Sequence, residues 1–252
     1  MTPSSDLLKG QVAVVTGASS GLGMRFASVL AQAGARVVAC GRRVERIEDL
    51  ARSQPAIVPV RCDVSSPDDR ARLVDAALAL DGRIDICVNN AGIASGGARD
   101  QKGVETFGSV MRLNVEAVFA LTQAVARHML ERGSGSVINV SSMFGLVASV
   151  PVSDAAYVAS KSAVNGLTRE LANQWASRGV RVNAIAPGWF PTEMNAGLFE
   201  DGRSERWLKR YCPMGRTGRE HELDGVLLFL ASDASSYCTG QVIAIDGGWT
   251  IR

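Results

Sequence analysis

The stretch Gln11-Val-Ala-Val-Val-Thr16-Gly17-Ala-Ser-Ser-Gly21-Leu-Gly23 decides the fold. Gln11 to Thr16 is a valine-rich apolar run bounded by glycine, the pattern of a strand buried on both faces. Met24 to Ala33 then reads as a helix that stops at Gly34. Strand, glycine-rich turn and helix together bring backbone N–H groups and a helix N-terminus to where a pyrophosphate can sit. The spacing is G-x-x-x-G-x-G, not G-x-G-x-x-G. A glycine turn can also serve only to end a strand. Its place after the first strand makes Gly17, Ser19, Ser20, Gly21, Leu22 and Gly23 candidate cofactor contacts.

Arg36 to Cys40 reads as the second strand, ending in Gly41-Arg42-Arg43 before a short helix, Val44 to Ala51. In dinucleotide-binding folds the end of this strand meets the adenosine ribose, and an acid there accepts the 2′-hydroxyl of NAD. Here there is no acid. Arg42 and Arg43 can instead receive a 2′-phosphate, or simply be solvated loop charges. The expected cofactor is therefore NADP(H) in preference to NAD(H).

Further strands are expected at Ile57 to Arg61, Ile84 to Val88, Gly135 to Val140, Arg181 to Ala186 and Gln241 to Ile245. Helices are expected at Pro67 to Ala79, roughly Phe107 to Arg132, Ala155 to Arg178 and Glu220 to Leu230. Ile93 to Gly103 reads as a loop, and Trp189 to Pro213 as an irregular segment with an amphipathic piece bearing Met194, Leu198, Phe199, Trp207 and Leu208. Strand and helix alternate along the whole chain, which argues for one α/β domain over residues 1–252 built on a doubly wound parallel sheet. Gly17, Asn90, Asn114, Ser142 and Pro187 then fall at or near the carboxyl ends of strands, the edge where open α/β sheets bind ligands. Asn114 is a poor helix-interior residue, so it faces solvent, is a buried structural group, or has a chemical task.

The other informative stretch is Asp154-Ala-Ala-Tyr157-Val-Ala-Ser160-Lys161. Residues at i and i+4 share a helix face, so the Tyr157 hydroxyl and the Lys161 ammonium can look into one space. A free tyrosine titrates near pH ~10. A nearby positive charge is expected to lower that value and make Tyr157 an acid/base group. Alone, such a pair is more often a surface feature.

Composition narrows the class. The chain has 252 residues, 46% hydrophobic and 21% charged, with 27 basic against 25 acidic side chains, a net charge of +2. That gives no electrostatic case for nucleic acid or an anionic membrane. No apolar run approaches the ~18 residues of a membrane span, and Met1 to Gly10 lacks a signal-peptide apolar core. The five cysteines (Cys40, Cys62, Cys87, Cys212 and Cys238) show no metal-ligand spacing. Free thiols in a reducing cytoplasm and no metal are the expectation.

In this order and spacing, Thr16-Gly17-x-x-x-Gly21-x-Gly23, Asp63, Asn89-Asn90-Ala91-Gly92, Asn114, Ser142, Tyr157-x-x-x-Lys161, Pro187-Gly188 and Asp246-Gly247 resemble the short-chain dehydrogenase/reductase family over nearly the whole chain. The resemblance implies a seven-stranded Rossmann sheet, usually in a homotetramer. It implies ketone–alcohol interconversion with Tyr157 as acid/base, Ser142 on the substrate carbonyl, Lys161 on the nicotinamide ribose and Asn114 holding a relay water. Ser141 is the alternative donor. It also assigns Asp63, Val64, Asn90, Ala91, Gly92, Pro187, Gly188, Phe190 and Thr192 to cofactor contacts, with Thr192 on the carboxamide. Within the family, Pro187-Gly-Trp-Phe-Pro-Thr-Glu-Met-Asn195 is similar to gluconate 5-dehydrogenases and related keto-acid or keto-sugar reductases. Trp189, Phe190, Phe199 and Trp207 add apolar bulk that a sugar does not call for. Residues 189–212 are expected to act as a substrate lid.

Two rival readings follow. A dinucleotide-binding sensor would be expected to lack the tyrosine, lysine or serine, and all are present. A 3-oxoacyl reductase acting on a carrier-bound chain would want a basic patch at the pocket mouth, and Arg203, Arg206, Lys209 and Arg210 supply one.

Overall fold

The computed structural model describes residues 6–95, 103–151, 153–195 and 202–251, with the side chains of 203–205 left aside. Leu198 and Phe199, the Arg203 side chain and most of the Ile93 to Gly103 loop lie outside the described residues.

The fold grows from β1 (Val12–Thr16), whose residues are all buried. It pairs on one side with β2 (Arg36–Gly41) and on the other with β4 (Ile86–Asn89), both parallel. β3 (Ile57–Arg61) adds beyond β2, and β5 (Gly135–Val140), β6 (Val180–Pro187) and β7 (Val242–Ile245) continue beyond β4. The order is β3-β2-β1-β4-β5-β6-β7, parallel throughout, as the alternation of elements predicts. Strand order reverses between β1 and β4, so a crevice opens at their carboxyl ends.

Helices cover both faces. On one, α1 (Gly21–Gln32) and α8 (Asp224–Ala231) bury Phe26, Leu30, Leu227 and Leu230 against the sheet. On the other, α3 (Pro67–Asp81), α5 (Ala117–Arg132) and α6 (Ala155–Trp175) bury Leu73, Leu121, Met129 and Leu171. Local chemistry sets the ends of α3. Ser66 accepts from Asp69 N at 3.3 Å, Pro67 opens the helix, and Gly82 closes it at φ 66°. The short α2 (Val44–Ser53) follows β2.

Three expectations change. The strand read from Ile84 begins at Ile86, because the Asp85 carboxylate accepts from Val12 N at 2.9 Å and pairs with Arg83 and Arg132. The long helix is split into α4 (Val104–Met111), a π-helical turn (Arg112–Glu116) and α5. The segment read as irregular contains a ten-residue helix, α7 (Gly202–Tyr211). Its inner face carries Trp207 and Leu208 into an aromatic cluster with Trp189, Trp249 and Phe144. Trp189 packs edge-on against Phe144, Trp207 and Trp249 with centroids 5.6, 5.7 and 5.9 Å away. Phe190 is 4% exposed and lies so close to Gly218 that a Cβ there would meet its Cε1 at 2.3 Å. The apolar bulk of Trp189, Phe190 and Trp207 is thus largely packing, and it leaves a polar substrate open.

Candidate active site

The carboxyl edge of the sheet is cut by a cleft of about 600 Å³. Every residue singled out from the sequence as catalytic or cofactor-binding lines it, except Gly23 and Asn114. Gly23 lies beneath the turn: a Cβ there would meet Gly17 O at 2.3 Å and Asn90 Nδ2 at 2.4 Å. Its missing side chain lets α1 close up on the turn. Gly17 adopts φ 65°, and a Cβ on it would meet Ala91 Cα at 2.9 Å. The two strand-end turns are stitched together. Thr16 Oγ1 accepts from Asn90 N and Ala91 N, each at 3.0 Å, and Asn90 Nδ2 donates to Thr16 O at 3.0 Å.

Asp154 caps α6 by accepting from Tyr157 N at 2.9 Å, which fixes the first turn of the helix that carries Tyr157 and Lys161. Ser142, at the end of β5, accepts from Phe144 N at 3.1 Å and hydrogen-bonds the Tyr157 side chain. Ser141 Oγ instead donates to Lys161 O at 3.2 Å, so its hydroxyl is spent on the helix backbone. Lys161 Nζ donates to Val140 O at 2.8 Å and lies 5.5 Å from the Tyr157 ring centroid.

Burial raises the Tyr157 pKa; the Ser142 hydrogen bond pulls it back in part, and the Asp154 charge adds to the rise. This corrects the expectation that Lys161 sets Tyr157 low. The lysine is bound to a carbonyl, and burial brings its own pKa from 10.5 to about 8. The pair is therefore a neutral phenol above a buried, weakly held cation at neutral pH.

Asn114 sits in the π-helical turn, 1% exposed. Its Oδ1 accepts from Ile93 N at 2.9 Å, and its Nδ2 donates to Ile93 O at 2.8 Å and Ser160 Oγ at 2.9 Å. Both amide protons are used, so the side chain has no donor left for a water. It ties the chain after β4 to α6. Gly92 fits between: a Cβ there would meet Asn114 Oδ1 at 3.3 Å and Lys161 Nζ at 3.4 Å.

At the far end of the cleft, Asp63 accepts from Ser65 N at 3.0 Å and Ser65 Oγ at 2.6 Å, which lowers its pKa. Arg42 and Arg43 are exposed there. The donor set suits a dinucleotide: a left-handed glycine turn, a Cβ-free wall at Gly92 and a basic end. Sequence reasoning missed Gly41, Cys62, Glu193 and Asn195, which also line the cleft. Asn195 carried a readable signal, since an asparagine after a proline-rich bend commonly closes a turn. Glu193 carried none, because its partners are about 150 residues away.

Comparison with known proteins agrees with this geometry. A family model described as enoyl-(acyl carrier protein) reductase matches residues 17–250. The chain is 40% identical to galactitol 2-dehydrogenase (L-tagatose-forming) of Cereibacter sphaeroides over 246 residues, 97% of this chain and 96% of that one. It is 39% identical to a 3-oxoacyl-(acyl-carrier-protein) reductase of Thermotoga maritima over 248 residues, 97% and 99% of the two chains. A crystal structure of a gluconate 5-dehydrogenase from Burkholderia cenocepacia J2315, in complex with NADP and tartrate, superposes with a TM-score of 0.91 at 38% identity, covering 99% of this chain and 98% of that one. The chain belongs to the short-chain dehydrogenase/reductase family. It is an oxidoreductase of CH–OH groups.

Proposed function

We propose that the protein interconverts a ketone and a secondary alcohol of a small polyol or hydroxy acid, with NADP(H) in preference to NAD(H). One observation carries the reading: Ser142, Tyr157 and Lys161 converge on a cleft whose opposite end is basic. When bound, the nicotinamide supplies or takes up the hydride. The protein's part is to hold the carbonyl oxygen and move one proton. As reduction proceeds, negative charge grows on that oxygen, and hydroxyl donors from Ser142 and Tyr157 stabilise it. The raised Tyr157 pKa keeps the phenol protonated and ready to give its proton to the nascent alkoxide. In oxidation the phenolate must form, and the Ser142 hydrogen bond favours it. Asn114 acts as a positioning residue that sets the wall around Ile93 and Gly92.

The relatives above act on a polyol, on a sugar acid and on a carrier-bound acyl chain, as their names state. The packed role of the nearby indoles, which keeps their bulk in the aromatic cluster, favours the first two. The exposed Arg206, Lys209 and Arg210 on α7 support the carrier-bound alternative. Residues 189–212 would form the substrate-side wall and lid of the single domain. Partly exposed Phe107 and Phe119 on α4 and α5 support a homotetramer, which light scattering tests. Five free cysteines support a cytoplasmic location. No described helix is long and apolar enough to cross a membrane.

The test is an initial-rate screen of polyols, sugar acids, their keto forms and a 3-oxoacyl thioester with each nicotinamide cofactor. Turnover of the thioester alone, lost on reversing the three α7 charges, would replace the polyol reading with the carrier-bound one. No turnover of any ketone or alcohol would sink both.

A further inference from the structure

Three segments distant in sequence meet at the basic end of the cleft. Arg43 Nη2 donates to Ser20 Oγ at 3.0 Å, in the glycine turn, and to Glu193 Oε2 at 2.9 Å, in the chain after β6. Arg46 Nη1, from α2, donates to Glu193 Oε1. Both carboxylate oxygens are thus held by guanidinium groups, and Arg46 first, then Arg43, hold the Glu193 pKa below the ordinary carboxylate value.

Glu193 is presented by a built turn. Asn195 Oδ1 accepts from Thr192 N at 2.7 Å and Thr192 Oγ1 at 3.1 Å, and its Nδ2 donates to Phe190 O at 2.8 Å. A Cβ on Gly21 would meet Thr192 Cγ2 at 3.4 Å, so this turn lies directly against the glycine loop. Ser20, Arg42, Arg43 and Glu193 all face the same cleft.

We propose that Glu193 is a cofactor-specificity residue: its carboxylate holds Arg43 at the ribose end of the cleft, so a 2′-phosphate must take that guanidinium from it and a 2′-hydroxyl need not. The inference rests on the reading that the ribose 2′ position reaches Arg42 and Arg43. An incoming phosphate meets a guanidinium already paired, and it comes to lie near a second negative charge. A neutral hydroxyl meets neither obstacle. Glu193 therefore narrows the preference for the phosphorylated cofactor that the arginines create. The effect is modest, because the Arg43 and Glu193 side chains are 49% and 51% exposed.

The experiment is calorimetric titration of the full-length protein with adenosine 2′,5′-bisphosphate and with 5′-AMP, which differ only in the 2′-phosphate. Wild type, Glu193→Gln, Glu193→Ala, Arg42→Ala, Arg43→Ala and the Glu193→Gln/Arg43→Ala double variant are compared. Both Glu193 variants should bind the bisphosphate roughly threefold to fivefold tighter, with 5′-AMP affinity held within about twofold. Arg43→Ala should weaken the bisphosphate, and the double variant should show no gain over it. Unchanged or weaker bisphosphate binding by the Glu193 variants, while Arg43→Ala still costs affinity, would overturn the role of Glu193 alone. Equal tightening of both ligands would overturn it too, as a general charge effect. If Arg43→Ala and Arg42→Ala both leave the bisphosphate untouched, the ribose reading falls and the inference with it.

Discussion

Lys161 Nζ donates to the Val140 carbonyl at 2.8 Å and so bolts α6 to the carboxyl end of β5. The bond places a 5% exposed cation under the ring of Tyr157 and within 3.4 Å of where a side chain on Gly92 would begin. No charged group among the described residues answers it there: burial is what moves its pKa to about 8. The fold therefore carries a strained charge for the sake of the site, a common trade between stability and function.

That trade predicts the pH dependence of stability. The folded-state pKa of Lys161 is depressed from 10.5 to about 8. Below pH ~8 both states hold the proton, and wild type bears the full burial cost, of order 3 kcal/mol at 1.36 kcal/mol per unit. Between pH ~8 and ~10.5 the unfolded state binds more protons, so wild-type stability rises with pH. Lys161→Met removes the cost and leaves the Val140 carbonyl unpaired, at roughly 1–3 kcal/mol. It should match or exceed wild-type stability at neutral pH and fall behind by about pH 10. Denaturant melts across that range check it; a constant difference would show that Lys161 is not buried as a cation.

Tyr157→Phe should lower kcat by about 10²- to 10⁴-fold, the usual contribution of a positioned acid/base. Cofactor affinity should stay near wild type, because the ring and its packing remain. Fluorescence titration of the cofactor beside steady-state rates separates the two. Near wild-type kcat would remove Tyr157 from the mechanism.

Most of the sheet was legible because strands buried on both faces read as apolar runs, and because each strand end carries its own small polar signature. Thr16-Gly17, Asn89-Asn90 and Ser141-Ser142 all mark one edge. Helix α7 was only partly legible: Trp207 and Leu208 marked an amphipathic piece, but in Gly202–Tyr211 apolar residues are few, and the helix is held by packing of these two against Trp189 and Trp249, contacts made only in the fold. The π-helical turn at Asn114 was half legible. The residue type announced an exception inside a helix, while its direction, toward Ile93 and Ser160 rather than solvent, is set only by the tertiary fold. The Arg43–Glu193 pair was not legible at all, since no local pattern links residues 150 apart.

Asn114→Ala should be costly without any change in chemistry of the reacting groups. It strips partners from Ile93 N, Ile93 O and Ser160 Oγ around a buried site. Each orphaned group costs about 1–3 kcal/mol, less what water recovers. A loss of roughly 2–5 kcal/mol is expected, or a Tm lower by about 4–20 °C for a domain of this size. Calorimetry checks it. A variant as stable as wild type but catalytically dead would make Asn114 a direct participant instead.

The ribose end yields the sharpest reversal. Gly41 stands at the end of β2, where an NAD-selective site would place its acid, and a Cβ there would meet Ser19 Oγ at 3.1 Å and Ser19 Cβ at 3.2 Å. That gap is tight yet not forbidding, because Ser19 is one small side chain in a loop. Gly41→Asp would bring a carboxylate able to accept from ribose hydroxyls and to repel a 2′-phosphate, while competing for Arg43. Charge-assisted bonds contribute on the order of 1.5–3 kcal/mol, so the ratio of kcat/KM for NADPH over NADH should fall by about tenfold or more. Arg42→Ala and Arg43→Ala should move the ratio the same way by weakening NADPH alone, and by less, since both side chains are exposed. The clash with Ser19 is controlled by Gly41→Asp/Ser19→Gly, which relieves the contact and keeps the charge. If that double variant still loses both cofactors equally, the ribose does not end at Gly41. If it gains NADH while the arginine variants leave NADPH unchanged, the acid position is right and the phosphate is held by neither arginine.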